Sequence, residues 1–140
     1  MKLHEILESK GSKVFSASPQ DSLGDVVNKL VENNCGALVV REGEKMVGII
    51  SERDVLRACA DLDRPLEATV SDRMTTDLVT GTPDDDVESV MGLLTHHRIR
   101  HLPILKNGEL VGVISIGDIV KAQYEDLSNE NRILKQYIQG

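Results

Sequence analysis

The chain has 140 residues, with 16 Lys or Arg against 23 Asp or Glu, a formal charge of −7 and a pI near 5.0. This length allows one compact domain or two very small ones. The acidic balance argues against a general nucleic-acid binder, which needs a basic face. Only Phe15, Tyr124 and Tyr137 are aromatic and Trp is absent, so aromatic stacking on single-stranded nucleic acid is disfavoured as well.

The N-terminal residues 1–8 include acids where a signal peptide has its apolar region. No apolar run reaches the length of a membrane span. Two cysteines, Cys35 and Cys59, are too few for a disulfide framework or a zinc site and favour reduced thiols. The sequence therefore predicts a cytoplasmic protein that binds neither nucleic acid nor a membrane.

Hydrophobic spacing predicts the elements of the first half of the chain. Apolar residues at helical spacing follow a Ser-Pro turn signal, and two short apolar strands come next. In chain order the predicted elements are a short helix, a strand, a helix, two strands and a helix, at 2–9, 13–16, 23–31, 37–40, 46–50 and from just after Ser51.

The second half repeats the first at an offset of 64 residues. Val47-Gly-Ile-Ile-Ser-Glu-Arg-Asp54 aligns with Val111-Gly-Val-Ile-Ser-Ile-Gly-Asp118 without a gap. Each copy is predicted to be a β-α-β-β-α unit after a short helix, and units this small should pack together. The second set of elements is expected at roughly 66–73, 77–80, 87–94, 102–105, 110–114 and from just after Ser115.

The last helix is expected to continue beyond residue 120. Apolar residues and one Asn then recur at alternating spacings of four and three, which is the pattern of a heptad seam. The pattern predicts packing on the domain itself or on a partner subunit. The seam consists of Val120, Tyr124, Leu127, Asn131, Leu134 and Ile138. The predicted division is 1–64 and 65–125 for the two repeats and 126–140 for the helical extension.

A Ser-x-x-Asp motif lies in each copy where a strand meets a helix. One interpretation is structural: Ser51 and Ser115 cap the helix, and Asp54 and Asp118 complement its dipole. The other is functional, because a helix N terminus attracts phosphate and a carboxylate one turn later accepts hydrogen bonds from ribose hydroxyls. The two interpretations are compatible. The flanking aliphatic side chains Ile49, Ile50, Val113 and Ile114 are suited to hold an adenine.

Other chemistry is disfavoured by the residues themselves. Gly112 to Gly117 has the spacing of a phosphate-binding Walker loop, but Asp118 stands where the Lys is required. Arg98 and Arg100 intervene among His96, His97 and His101, which favours structural or phosphate-contacting roles over a metal site. No nucleophile with a base and an orienting group is evident. We therefore predict no catalytic residues, no metal and no obligatory cofactor.

The duplicated unit with its hydrophobic-Gly-x-Ile-Ser-x-x-Asp ending resembles a tandem pair of cystathionine-β-synthase (CBS) domains, a Bateman module, over residues 1 to about 125. Three further segments share the resemblance: Gly36-Ala-Leu-Val-Val40, Asp72-Arg-Met-Thr75 and Arg98-Ile-Arg-His-Leu-Pro103. The tail is similar to small stand-alone bacterial members. The resemblance implies an α+β fold of two β-α-β-β-α repeats packed about a pseudo-two-fold axis, with an extended C-terminal helix.

The same resemblance implies a regulatory function. Such modules bind adenosine-containing ligands (AMP, ADP, ATP, NAD or S-adenosylmethionine) in two clefts between the repeats, form homodimers and signal by conformational change to a separate protein partner. Carried over residue by residue, the acids hold a ribose, the serines approach phosphate, the aliphatic residues line the adenine, and each strand start completes the opposite cleft. The implied nucleotide-binding residues are Asp118, Ser115, Val113 and Gly117 with Cys35 and Gly36, and Asp54, Ser51 and Ile49 with Ile99, Arg100 and His101.

The two clefts are expected to differ in affinity. Gly117 permits a close approach of backbone to phosphate, whereas Glu52 after Ser51 would repel it and Arg53 would offset that repulsion. We therefore expect the Asp118 cleft to be the tighter one. The alternative function is a ligand-free dimerisation or interaction module. The sequence leaves open which nucleotide binds, whether both clefts fill, which partner responds and how a dimer is oriented.

Overall fold

The structure, a computed structural model, describes residues 1–11 and 13–139. Its helices and strands alternate in two similar series, as the sequence repeat predicts. In chain order they are α1 (Leu3–Lys10), β1 (Ser16–Ala17), α2 (Leu23–Asn33), β2 (Ala37–Glu42), β3 (Lys45–Ser51), α3 (Glu52–Asp61), a 3-10 turn (Pro65–Glu67), α4 (Val70–Arg73), α5 (Val87–His97), β4 (His101–Lys106), β5 (Glu109–Ser115) and α6 (Ile116–Gln139). The α+β class predicted from the sequence is confirmed.

The chain divides into two compact units. One is Lys13–Val79, called here the 13–79 unit; the other joins Met1–Ser12 to Thr80–Gly140 and is called the 80–140 unit. The compact units therefore differ from the sequence repeats in one respect, because the short helix that precedes each repeat belongs to the unit of the other repeat. The predicted boundary after residue 64 marks where one sequence repeat ends and the next begins, and it stays a prediction.

The 13–79 unit contains a three-stranded sheet in the order β1-β2-β3. Strand β1 pairs parallel with β2, and β2 pairs antiparallel with β3, with Ala37 opposite Ser51. Aliphatic side chains from the sheet and from α2, α3 and α4 form its core, which fits the scarcity of aromatic residues in the sequence. The core comprises Ala17, Leu23, Val26, Leu30, Leu38, Val40, Ile50, Ala58 and Val70.

The 80–140 unit repeats this arrangement at the same offset. Strands β4 and β5 pair antiparallel with His101 opposite Ser115, and a register shift follows Ile104 as it follows Val40 in β2. Gly81 forms a parallel bridge to Ile104 where the other unit has β1. Buried aliphatic residues again line the sheet and helices: Leu3, Ile6, Val87, Val90, Leu94, Leu102, Ile104, Ile114 and Ile119.

Backbone hydrogen bonds attach α1 and α4 to their units in the same way. The Leu3 N–H donates to the Asp85 carbonyl at 3.0 Å in the 80–140 unit, and the Val70 N–H donates to the Asp21 carbonyl at 2.8 Å in the 13–79 unit. Leu3 and Val70 are 67 residues apart, three more than the offset of the rest of the repeat. Helix α1 is correspondingly longer than α4, with 8 residues against 4.

The predicted hairpin strands and most predicted helices are confirmed, but two strand predictions are wrong. The first predicted strand, 13–16, is a two-residue strand at Ser16–Ala17, and the predicted strand 77–80 is replaced by the single bridge at Gly81. Both errors have one cause: pairing is limited to the residues that face β2 or β4, since the chain turns into Ser-Pro or Thr-Pro directly afterwards. The predicted helix at 66–73 is a 3-10 turn followed by the four residues of α4.

Helix α6 continues well past the repeat, as predicted. It has 24 residues, and every described side chain from 123 to 138 is exposed. Within the described residues, neither this helix nor any other combines the length and the apolar character needed to cross a bilayer.

Candidate functional site

Each Ser-x-x-Asp motif begins the helix that follows the second hairpin strand. Ser51 ends β3 and is the N-cap of α3, and Ser115 ends β5 immediately before α6. In both copies the serine hydroxyl accepts the aspartate N–H and the aspartate carboxylate accepts the serine N–H, at 3.4 and 2.9 Å in the first copy and at 3.1 and 2.9 Å in the second. The predicted capping function is therefore confirmed at both sites.

Asp54 is the more enclosed of the two acids. Its residue is 9% exposed. Oδ2 accepts the Ser51 N–H and the Ser51 hydroxyl, the latter at 3.1 Å, and Oδ1 accepts the Thr75 hydroxyl at 3.3 Å. Both carboxylate oxygens are thus satisfied by neutral groups of the 13–79 unit.

Thr75 also fixes the strand that leads to this motif. Its N–H donates to the Ile49 carbonyl at 2.8 Å, and its carbonyl accepts the Ile49 N–H at 3.0 Å. The segment after α4 therefore adds a backbone bridge to β3 and places the Thr75 hydroxyl on Asp54. Thr75 therefore contacts both the Ile49 carbonyl of β3 and the carboxylate of Asp54.

Asp118 has a different partner, although its cap is the same. The Lys10 ammonium at the end of α1 donates to Asp118 Oδ2 at 2.7 Å and to the Val113 carbonyl at 2.7 Å. Val113 is the repeat equivalent of Ile49. Lys10 therefore joins the strand carbonyl to the motif acid in the 80–140 unit, as Thr75 does in the other unit, but it does so with a positively charged, flexible side chain.

The pKa of Asp118 reflects this pairing. Burial alone would raise the pKa of the carboxyl, but the hydrogen bonds from Lys10 and Ser115, together with the Lys10 charge, outweigh burial and lower the pKa below its usual value. The Asp118 side chain is 25% exposed and the Lys10 side chain 34%. The acid is therefore ionised at neutral pH and remains accessible to solvent.

An open groove adjoins Asp118 within the 80–140 unit. It has a volume of about 250 Å³ and lies between α1 and α6. Lys10 and Lys121 supply positive charge to its walls, and Glu125 and Asp126 supply negative charge further along α6. The groove gives a small ligand a route to the Asp118 carboxylate and to its ammonium partner.

The remaining predicted residues lie at equivalent places in their own units. The Gly36 carbonyl accepts the first N–H of α3, from Glu52, at 3.0 Å, and the Arg100 carbonyl accepts the first N–H of α6, from Ile116, at 2.9 Å. Gly117 is exposed on the first turn of α6. Each strand start thus lies beside a helix N terminus of its own unit.

A second depression belongs to the 13–79 unit and includes two predicted residues. Cys35 and Gly36 line it together with side chains of α2 and α3, and its volume is about 550 Å³. The assignment of Cys35 and Gly36 to Asp118, and of Ile99, Arg100 and His101 to Asp54, stays a prediction.

The sequence analysis missed Lys10 and Thr75 as candidate site residues. Thr75 was noted only as part of the Asp72–Thr75 segment, and Lys10 was not noted at all. A signal was present, since Lys10 ends the short helix before the first repeat and Thr75 follows the short helix before the second. The three extra residues before the first repeat prevent the simple 64-residue alignment from showing that these segments reach equivalent strands.

Metal and thiol chemistry adds no further candidate. Among residues 1–11 and 13–139, no group of three or more His, Cys, Asp or Glu side chains is placed to hold a metal ion. His96 and His97 are exposed near the end of α5, with ring centroids 5.0 Å apart in an edge-to-face arrangement. Cys35 and Cys59 are not joined in a disulfide.

The fold and the duplicated motif define a class of protein. The sequence model of the CBS domain matches residues 9–61 and 70–125. The chain therefore belongs to the CBS domain family, with two CBS segments in tandem, and the resemblance stated from the sequence is confirmed.

Two curated relatives illustrate how closely the chain follows this family. The CBS domain-containing protein CBSX3, mitochondrial, of Arabidopsis thaliana is 37% identical over 148 residues, which cover 99% of this chain and 72% of the plant protein. The CBS domain-containing protein YhcV of Bacillus subtilis is 29% identical over 129 residues, which cover 92% of this chain and 90% of the bacterial one. Both matches include the two repeats.

Solved structures agree with these relatives. The CBS-domain containing protein ATU1752 of Agrobacterium tumefaciens superimposes with a TM-score of 0.86 at 34% identity, covering 88% of this chain and 99% of that one. The CBS domain pair of protein MJ0100, solved in complex with 5′-methylthioadenosine and S-adenosyl-L-methionine, has a TM-score of 0.79 at 23% identity, covering 90% and 98%. The latter likeness establishes the shared fold.

Proposed function

We propose that the protein is a regulatory module that senses an adenosine-containing ligand, with AMP, ADP, ATP and NAD as the candidates. The observation that carries this proposal is the placement of Asp118. Its carboxylate is held by the Ser115 cap at the N terminus of α6, remains 25% exposed and lines an open groove. A fixed, ionised and accessible carboxylate of this kind suits the two hydroxyls of a ribose.

The phosphate end of the ligand is assigned to the N terminus of α6. Backbone N–H groups and the helix dipole favour an anion there, and Gly117 allows a close approach. Lys10 and Lys121 add positive charge to the groove. For a ligand at the Asp54 motif, the exposed Arg100 and His101 are the candidates for phosphate contacts. This chemistry does not distinguish AMP from ATP or NAD.

The family supports a regulatory rather than a catalytic role. CBS segments occupy most of the chain, and a protein with the same fold, MJ0100, binds two adenosine derivatives. Ligand binding would change the balance between conformations according to the difference in affinity for each of them. A separate protein partner, in the cytoplasm by the sequence argument, would respond to that change.

Thermal unfolding tests the proposal directly. We expect one of AMP, ADP, ATP, NAD or S-adenosylmethionine at millimolar concentration to raise the Tm of the ligand-free protein, because a ligand at a hundredfold its Kd adds about 2.7 kcal/mol to stability. Asp118→Asn should abolish the increase, since an amide cannot replace a carboxylate that accepts both hydroxyls. Asp84→Asn, at an exposed acid of the same unit, is the matched control and should keep it.

The quantity to compare is the ligand-induced increase, because Asp118→Asn also weakens the helix cap and lowers the starting Tm. No increase with any of the five ligands would contradict the proposal and leave the Ser-x-x-Asp motifs as helix caps. An increase that survives Asp118→Asn but is lost in Asp54→Asn would move the ligand to the other motif.

A second candidate function, association through α6, rests on a separate observation. Beyond Ala122 the helix is exposed all round, and the predicted seam presents Tyr124, Leu127, Leu134 and Ile138 at 71, 63, 56 and 80% exposure. A helix of this length is only marginally stable alone in water. We propose that a second copy of the chain covers this seam, which would make the protein a homodimer.

Oligomeric state tests the seam. Leu127→Glu should convert a dimer to a monomer in sedimentation equilibrium, because it would bury a carboxylate between apolar side chains. Asn129→Glu introduces the same charge on the opposite face of the helix and should leave the dimer intact. A monomeric wild-type protein, or a dimer that tolerates Leu127→Glu, would contradict this assignment.

A further inference from the structure

The Lys10 ammonium lies beside the Asp118 carboxylate, where the ribose hydroxyls of a ligand would have to lie. Its ammonium donates to Asp118 Oδ2 and to the Val113 carbonyl, each at 2.7 Å. Ribose hydroxyls would donate to the same carboxylate. The 80–140 unit therefore supplies its own hydrogen-bond donor to the proposed ligand-binding acid.

In the 13–79 unit, the contact equivalent to that of Lys10 cannot be broken by movement of a side chain alone. There the Ile49 carbonyl accepts a backbone N–H from Thr75, and Asp54 accepts the short Thr75 hydroxyl. A backbone bridge can leave only if the segment unfolds from the strand. A lysine side chain can swing away by rotation about its own bonds without unfolding any backbone segment, and the Lys10 side chain is one-third exposed.

Displacement of the ammonium has an electrostatic cost that depends on the ligand. Lys10 loses two short hydrogen bonds, one of them to a carboxylate, and such charge-assisted bonds are about twice as strong as neutral ones. A neutral nucleoside satisfies Asp118 but offers no counter-charge to the displaced ammonium. A phosphate attached to the ribose does offer one. The groove adds the ammonium of Lys121, while its acids Glu5, Glu125 and Asp126 oppose an anion placed further from the two lysines.

We propose that Lys10 is a specificity-determining residue that disfavours binding of uncharged nucleosides at Asp118 and permits binding of nucleotides. The ribose displaces the Lys10 ammonium from Asp118, and the phosphate of a nucleotide then becomes the ion-pair partner of that ammonium. This inference rests on the proposed function, and it narrows the ligand class at Asp118 to phosphorylated nucleosides. At Asp54 the donor equivalent to the Lys10 ammonium is the neutral Thr75 hydroxyl, so this route to discrimination is specific to Asp118.

Calorimetric titration with AMP and adenosine tests the inference, since these two ligands differ only in the phosphate. The Asp54→Asn background restricts the measurement to Asp118. In that background AMP should bind more tightly than adenosine. Adding Lys10→Met should strengthen adenosine binding and weaken AMP binding, so that the ratio of the two Kd values falls at least about tenfold, which is about 1.4 kcal/mol.

Two control variants separate specificity from general charge. Lys106→Met removes an exposed lysine of the same unit and should leave the ratio unchanged. Lys10→Arg keeps the charge and should preserve the preference for AMP. If Lys10→Met does not fold, Lys10→Gln provides the same comparison with a polar side chain of similar length.

The outcomes distinguish this inference from the proposed function. Binding of both ligands with a ratio that Lys10→Met leaves unchanged would overturn the role of Lys10 and keep Asp118 as a ligand site. Equal weakening of AMP and adenosine would also overturn it, because Lys10 would then only support the site. Failure of every form, including the wild-type protein, to bind either ligand would overturn this inference, whereas the proposed function would fall only if the thermal unfolding test also showed no increase with any of its five ligands.

Discussion

The two Ser-x-x-Asp motifs share a backbone but differ in what meets their carboxylates. Both acids lie one turn into a helix and accept the N–H of the capping serine at 2.9 Å. Asp54 then meets the neutral hydroxyl of Thr75, whereas Asp118 meets the ammonium of Lys10. Duplication therefore preserved the cap, while the segment before each repeat determined the charge at the acid.

Together with the proposed function, this difference would give the two motifs different tasks. The Asp54 motif is enclosed by short, neutral and partly backbone contacts, which favours stability. The Asp118 motif is more exposed, charged and held by a side chain that can move, which favours exchange with a ligand. Variants at equivalent positions can test the contrast because the repeat supplies a natural control for each.

The largest contrast is expected at the glycine in the middle of each second hairpin strand. A Cβ at Gly48 would lie 2.8 Å from Met74 Sδ and 2.9 Å from the Thr75 carbonyl, whereas a Cβ at Gly112 would lie 2.6 Å from Leu7 Cδ2. Since a backbone carbonyl cannot turn aside and a leucine methyl can, Gly48→Ala should cost about 2–3 kcal/mol and Gly112→Ala about 1 kcal/mol. Urea unfolding of both variants measures the difference. Equal costs would show that the Met74–Thr75 segment and the Leu7 side chain make room for a methyl group equally well.

The next largest contrast is expected in the free energy of unfolding lost when Asp54 or Asp118 is replaced by alanine. Asp54→Ala leaves the Ser51 N–H and the Thr75 hydroxyl, both in part-buried hydrogen bonds, without their acceptor and should cost about 2 kcal/mol of unfolding free energy. Asp118→Ala should cost about 1 kcal/mol, because solvent reaches Lys10 and can replace the carboxylate. The same urea experiment compares them. A larger cost for Asp118→Ala would contradict the assignment of Asp54 as the more structural acid.

Thr75 allows the neutral contact to be removed alone. Thr75→Val keeps the shape and the backbone bridge to Ile49 but deletes the hydroxyl, so it should cost about 1 kcal/mol. Thr75→Ser retains a hydroxyl and is the matched control, with a smaller loss expected. If valine were tolerated without loss, the 3.3 Å contact to Asp54 would contribute nothing to stability.

The smallest effect is the dependence of stability on pH that the Lys10 contact with Asp118 should produce. The pKa of Asp118 is lowered in the folded protein, so its stabilising contribution is present above the unfolded pKa of about 3.9 and is lost as the pH falls through the lower folded value. The stability difference between wild type and Lys10→Met should therefore be greatest near neutral pH and decrease as the pH falls below the unfolded pKa, leaving the part due to the Lys10 contact with the Val113 carbonyl. Urea midpoints across this range measure it.

An Asp118 signal followed by NMR provides the direct check on the same contact. Removal of the ammonium should raise the pKa of Asp118, because burial then acts with less opposition. Lys2 is a useful comparison, since it lowers the pKa of Asp86 on the fully exposed surface of the same unit, and Lys2→Met should leave the Asp118 titration unchanged. An Asp118 pKa that does not respond to Lys10→Met would break the contrast between the two motifs.

The repeat made much of this architecture predictable. A gap-free offset of 64 residues specified the two hairpins, the helices that follow them and both caps, because hydrophobic spacing and Ser-x-x-Asp are local signals. The extended last helix was equally local. The strand expected over 77–80 was wrong because strand formation there depends on which residues face β4, and pairing across a sheet is not encoded by the strand's own residues.

The sequence by itself determined the caps, the candidate ribose acids and the apolar seam of α6, since each depends on residues within a few positions of one another. Only the tertiary structure decided that α1 belongs with residues 80–140 and that α4 belongs with the first repeat. That exchange brings Lys10 within 2.7 Å of Asp118, 108 residues later in the chain. A contact over such a separation depends on helix length and strand register together, because neither a residue type nor a local spacing records which distant segment completes a site.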